Sequence, residues 1–490
     1  MWPDIRRLAP ALALLGLAMI PTSLTAQDDD PVIGNWRGAL DVGGASLTIV
    51  FHLSQDDDGE LGGTMDSPDQ GGFGIPLSSV TSDGTDLALT VASIGGTFEG
   101  TLSDDRDAIT GTWSQGANSL ALDLTRITGD SPEYAPPARP QEPKAPFPYG
   151  IEEVTFVNAE ADIELAGTVT MPSGDGPFPG VILVSGSGPQ DRDETLMGHK
   201  PFWVLADHLS RAGIAVLRYD DRGVADSGGD FAAATSEDFA SDALAAAVYL
   251  AGLAGVAHDR VGIVGHSEGG LVGPMAATRS DAVGFVVMLA GPGVPGLDIL
   301  VEQGELINEA AGAPPEITAM NGRVQRALAQ IVRDEPDADV AALLMRTAME
   351  AEIDALPEDS KQAAGAQLSA SVDQSIQQMN TAWFRFFLHH DPRPALEQLS
   401  VPVLAIVGEK DLQVPPKQSV PEIEAAFARG GNPDATVQVL PGLNHLFQEA
   451  DTGAPSEYQR IEETFNAAAL ELVSSWILER FGRPAADGSR

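Results

Sequence analysis

The chain predicts an α/β protein with a mostly parallel sheet and a helical lid insertion, preceded by a separate small all-β domain. Three observations carry that expectation. From about residue 151, apolar runs such as "GVILVSG", "RVGIVGH" and "VPVLAIVG" alternate with amphipathic helical patterns, as in sheets buried on both faces and wound through helices. Residues 294–400 interrupt the alternation with helical stretches and no good strand, far more chain than a crossover needs, so they read as an inserted helical subdomain and a lid. Residues 31–127 are instead rich in Gly, Thr, Ser and Asp, with short alternating segments between turn clusters.

The order of elements begins with a leader. "MWPDIRRLAPALALLGLAMIPTSLTAQ" has Arg6 and Arg7, an apolar stretch from Leu8 to Ile20, and small or polar residues up to Ala26, the pattern of a secretory signal peptide over 1–26. Its core is short for a membrane span. Leu24 is a less usual residue three positions before the cut, so an uncleaved anchor is the alternative reading. The expected address is secreted or periplasmic, with no membrane attachment after signal removal. The absence of cysteine excludes disulfides, a lipoprotein anchor, a thiol nucleophile and a Cys-ligated metal. With 28 Lys and Arg against 71 Asp and Glu, the net charge of −43 repels nucleic acid and anionic membranes.

Residues 27–130 form the β-rich domain, where "LTIVFHLS", "LALTVAS", "GGTFEGTLS" and "AITGTWS" suit a small antiparallel barrel or sandwich. Trp36 and Trp113 near its ends read as core aromatics. The acidic triplets at 28–30 and 56–58 read as solvated turns, because no EF-hand register follows. A linker over 131–150 follows, with seven prolines in "SPEYAPPARPQEPKAPFPY", expected to be a semi-rigid extended spacer. The domain at 151–490 opens with two strands lacking an intervening helix, hence an antiparallel edge hairpin.

Within that domain, Gly265-His266-Ser267-Glu268-Gly269 follows the strand "VGIV" and precedes a helix. This is the setting in which a tight strand-to-helix turn lifts a serine above a sheet. A serine hydroxyl needs a base to take its proton and a carboxylate to orient that base. In this layout both follow in chain order at later strand ends: Asp411 in "GEKDLQVPP" and His445 in "PGLNHLF". Glu409 and Asp451 are weaker rivals for the acid. His389 and His390 belong to the insertion, and His266 is expected to point away from the serine. The backbone N–H groups of Glu268 and, by position in "VILVSGSGPQDRDE", Ser187 are the expected oxyanion donors. "GSGP" lacks the endings of a phosphate loop.

Together "GSGPQDRDE", "YDDRGVADSGG", "GHSEGG", "GEKDLQVPP" and "LNHLF" make residues 151–481 resemble the α/β-hydrolase fold, and within it a bacterial serine carboxylesterase subfamily whose members often carry an N-terminal β-rich region. The resemblance implies hydrolysis of short-chain carboxylic esters, small-molecule substrates, through an acyl-serine and without any cofactor or metal. By the same resemblance Arg222 is a structural ion-pair partner. Asp191, Arg192 and Asp193 sit near the oxyanion loop, either in a structural network or touching substrate. The alternatives are a serine aminopeptidase, for which Glu302 and Glu305 are ammonium-binding candidates, a thioesterase or other acyl hydrolase, and a non-catalytic binding protein on the same scaffold.

Overall fold

A computed structural model describes residues 30–42, 45–56, 59–70, 72–115, 118–127, 137–354 and 372–482. The expected signal peptide, most of both acidic triplets and the first part of the linker lie outside the described residues, as does part of the helical insertion.

In the N-terminal region, ten antiparallel strands between Gly34 and Ile127 make one sheet among the described residues. Alternation decides which face is inward: in "DLALTV" (Asp86–Val91), Leu87, Leu89 and Val91 are buried and their neighbours are not. The inward side chains meet Trp36, Phe51, Phe98 and Trp113 in one core. The Trp36 indole donates to the Val32 carbonyl at 2.7 Å, and the Arg126 guanidinium lies 4.0 Å over its ring. Both tryptophans are therefore core groups. The strands Gly72–Pro76 and Ser79–Ser82 have no counterpart in the sequence expectation, since "GFGIP" and "SVTS" are short and carry no apolar alternation.

The described part of the linker is not a free spacer. Arg139 donates to the carbonyls of Ile461 and Gln459, each at 2.8 Å, and Gln141 bonds Thr464 and Phe465. Proline removes backbone donors, but these two side chains dock the segment on the C-terminal domain.

The second sheet has eight strands: β1 (Gly150–Asn158), β2 (Ile163–Met171), β3 (Phe178–Val184), β4 (Ala215–Tyr219), β5 (Val256–His266), β6 (Phe285–Leu289), β7 (Val403–Gly408) and β8 (Ala435–Leu440). Their spatial order is β1-β2-β4-β3-β5-β6-β7-β8. β1 and β2 form the expected antiparallel edge hairpin, β2 also runs antiparallel to β4, and the remaining pairs are parallel. On one face, α1 (Pro201–Ala212) and α9 (Ala467–Phe481) cover the sheet through Phe202, Leu209, Val473 and Ile477. On the other, α2 (Ser236–Ala251) presents Ala240, Ala243 and Ala247, with α3 (Gly269–Ala277) and α8 (Pro416–Gly430) beside it. The alanines let α2 approach closely, and burial on both faces explains the apolar strands.

The insertion contains α4 (Gly296–Ala310), α5 (Pro315–Asp334), α6 (Ala338–Asp354) and α7 (Ala382–His389). Leu328, Val332, Met345 and Leu388 give it a core of its own. Among the described residues no helix is long and apolar enough to cross a membrane.

Candidate active site

Ser267 leaves β5 with φ of 53°, in the left-handed region, and its N–H donates to the Leu289 carbonyl at 2.8 Å. A serine held there costs about 1–3 kcal/mol and persists only where its surroundings impose it. Gly265 and Gly269 make the turn possible. A Cβ on Gly265 would fall 1.9 Å from the Gly269 carbonyl oxygen, and one on Gly269 would fall 2.0 Å from that of Val184.

Asp411, 1% exposed, sits on the loop after β7, where its Oδ1 accepts the N–H groups of Gln413 and Val414, both at 2.8 Å. Its Oδ2 lies 2.8 Å from Nδ1 of the buried His445, on the loop after β8. The neighbouring Asn444 side chain accepts the N–H groups of Leu446 and Gln448, which fixes that loop. Ser267 and His445 line one cavity of about 380 Å³. Larger concavities occur elsewhere, including a polar trough on the N-terminal sheet, but they gather no serine and histidine. Glu409 is engaged by the Gly442 N–H, Asp451 lines a different concavity, and His389 bonds two carbonyls within the insertion.

Ser187 and Glu268 also line the Ser267 cavity. Among the described residues neither backbone N–H has an acceptor, whereas the Gly186 N–H is taken by Glu194 Oε1 at 2.8 Å. A Cβ on Gly186 would come 3.3 Å from that of Ser267, so this loop abuts the elbow.

His266 does not point away from the site. Its buried ring packs on His445 with centroids 4.9 Å apart, its Nε2 bonds the His445 carbonyl at 3.0 Å and its Nδ1 bonds Glu194 Oε1 at 2.8 Å. Strand alternation predicts opposite directions for adjacent residues. That rule fails here because Ser267 has already turned out of the strand. Burial acts to lower the His266 pKa, but the Glu194 carboxylate and the His445 carbonyl outweigh it and the net shift is upward.

The Glu268 side chain is buried beneath the insertion. Its Oε1 accepts from the Ser236 hydroxyl at 2.5 Å and from the Trp383 indole of α7 at 2.7 Å. Burial pushes its pKa up, against these donors and the Ser187 side chain. Nearby Asp221 is pushed up to about 8, first by burial and then, against the Gln190 N–H and Ser185 hydroxyl, by the charges of Glu268 and Glu194. Trp383 and Phe387 stack at 5.3 Å and, with Phe384, Ile299 and Leu300, make the apolar wall opposite Ser267. Trp383 lies in no motif; Glu194 and Asp221 fall within "GSGPQDRDE" and "YDDRGVADSGG", but neither run assigns them a role in the sequence.

Arg192 chelates Asp220 and bonds Asp226 and Glu153, Arg218 pairs with Asp193, and Asp191 accepts from its own turn. Arg192 and Asp193 thus tie the loop after β3 by ion pairs to β4 and to the loop that follows β4. Arg222 pairs with Asp238 and Asp242 in the same manner. Glu302 and Glu305 line a separate concavity with Arg326 and Arg393. No group of three or more His, Asp or Glu suited to a metal occurs among the described residues.

The model of the alpha/beta hydrolase family matches residues 181–455, from β3 through the His445 loop. The chain belongs to the alpha/beta hydrolase family. Of curated proteins, this hydrolase is 28% identical over 316 residues to Esterase EstD of Thermotoga maritima, across 64% of this chain and 66% of that relative, just under two thirds of its length. Among solved structures it is similar to the Pyrococcus furiosus esterase Pf2001, with 16% identity, TM-score 0.40, 68% of this chain and 94% of that one. It is also similar to a dienelactone hydrolase from Anabaena variabilis, with 18% identity, TM-score 0.36, 69% of this chain and all of that one.

Proposed function

We propose that this hydrolase cleaves short-chain carboxylic esters through an acyl-serine intermediate, with Ser267 as nucleophile, His445 as base and Asp411 as its orienting acid. The reading is carried by one observation: the buried Asp411–His445 pair, bonded through Nδ1 at 2.8 Å, leaves Nε2 for the cavity that Ser267 also lines. Ser267 Oγ attacks the ester carbonyl carbon as its proton passes to His445 Nε2. The ester C–O bond then breaks and the alcohol departs with that proton. Water, deprotonated by His445, attacks the acyl-serine and releases the acid and free Ser267. The N–H groups of Glu268 and Ser187 stabilise the oxyanion, each contributing about 100- to 1000-fold in turnover. No step calls on a cofactor.

The about 380 Å³ cavity with its aromatic wall supports small apolar acyl groups. An ammonium-binding role for Glu302 and Glu305 finds no support, since they line another concavity. Parallel assays with p-nitrophenyl butyrate and aminoacyl p-nitroanilides test the choice. Ester turnover lost in Ser267→Ala, together with loss of fluorophosphonate labelling, is expected, whereas preference for the anilide overturns it. Export of the chain, with cleavage after Ala26, belongs to the same proposal, and N-terminal sequencing of exported protein checks it.

A further inference from the structure

We infer that Glu194 and His266 form a second carboxylate–imidazole pair, a buried imidazolium that positions the His445 loop and the oxyanion loop and keeps His445 available as a base. The inference rests on the proposed ester hydrolysis at Ser267.

The protonation follows from the partners. A backbone carbonyl only accepts, so the 3.0 Å contact from His266 Nε2 to the His445 oxygen requires Nε2–H. Glu194 Oε1 receives the Gly186 N–H at 2.8 Å and faces His266 Nδ1 at 2.8 Å. An oxygen taking two such contacts is satisfied best as a carboxylate oxygen accepting from two N–H groups, which places a second proton on Nδ1. His266 and Glu194 are 6% and 3% exposed, so neither charge is balanced by water and each requires the other. Glu194 also holds a left-handed backbone with φ of 53°, a conformation unfavourable for this residue and retained beside the site.

One chain of bonds thus runs from Gly186, next to the proposed donor Ser187, through Glu194 and His266 to the backbone of His445. It joins the loops after β3 and β8 to the residue before Ser267. The charged or titratable groups facing His266 are Glu194 on the first loop, His445 on the second and Asp411 on the loop after β7. Behind them, Asp221 after β4 feels the charge of Glu194 and, separately, that of Glu268 before α3. Positive charge at His266 opposes a second positive charge on the stacked His445 ring, and so favours the free-base form that attack requires.

The experiment compares the pH profiles of kcat/KM for wild type, His266→Asn and Glu194→Gln, with histidine-selective ¹⁵N NMR of the wild type at neutral pH. Two protonated ring nitrogens are expected for His266. The acid limb of kcat/KM is expected to move up by about one pH unit in His266→Asn, because removal of the cation leaves Glu194 uncompensated. Glu194→Gln is expected to move it upward by less. A single protonated nitrogen on wild-type His266 overturns the inference, even if neither variant folds. So does a folded His266→Asn variant with lower activity and an unmoved acid limb, the result of a purely structural role. Failure of the underlying ester reading looks different: Ser267→Ala then keeps its turnover, while the His266 resonances stand unaffected.

Discussion

The Trp383 indole donates to Glu268 Oε1 at 2.7 Å, so a helix of the insertion is bonded to the residue that follows Ser267. The two lie 115 positions apart in the chain. Because Glu268 is buried, its carboxyl depends on protein donors, and Trp383 is one of the few. In Trp383→Phe the aromatic wall survives and the donor is lost. A destabilisation of about 1–3 kcal/mol is expected, with KM for an ester rising more than kcat falls. Thermal melting and steady-state kinetics measure both, and an unchanged KM would show that the contact does not hold the wall against the site.

The Asp411 carboxylate is held by two backbone N–H groups as well as by His445. Asp411→Asn keeps the shape but favours the wrong imidazole tautomer. Turnover is expected to drop by about 10⁴-fold with KM little altered. A loss below tenfold would point to another acid.

At Gly186, a Cβ would meet the Ser267 Cβ at 3.3 Å and Glu194 Oε1 at 3.4 Å. Gly186→Ala is expected to displace the Ser187 N–H and lower kcat about 10- to 100-fold, less than full removal of an oxyanion donor. The melting temperature should change little. Wild-type kcat in this variant would remove Ser187 from the proposed pair.

His199 is buried, bonded to the Tyr458 carbonyl and the Thr464 hydroxyl, and its pKa is pushed down by burial to about 4. The unfolded chain therefore takes up a proton near pH 6.5 that the folded one refuses, so this group removes stability as pH falls from about 6.5 to about 4 and has no effect above that window. Melting curves across this range should fall more steeply for wild type than for His199→Gln. Parallel curves would contradict the assignment.

Much of the site is legible in one dimension because its signals are local. "VGIVGHSEGG" is an apolar strand, a glycine-framed turn and a helix start, while Asp411 and His445 each follow an apolar strand whose end on a parallel sheet is constrained. The two short strands of the N-terminal sheet escape notice because "GFGIP" and "SVTS" lack the period-two pattern. The docking of the linker is hidden for a different reason: its prolines speak for extension, while Arg139 and Gln141 find carbonyls more than 300 positions away.

What the sequence by itself determined was the class of chemistry: a mostly parallel sheet, a serine at a strand-to-helix turn, and an acid and a histidine in the order that such a sheet brings together. Apolar periodicity, glycine spacing and chain order are local quantities, and they suffice for that. Only the tertiary structure decided which way His266 faces, that Glu194 meets it from 72 positions away, and that Trp383 closes on Glu268. Those contacts depend on how a left-handed serine redirects the chain and how separate elements dock. Burial there makes each polar group require a specific partner, and no single stretch of sequence names it.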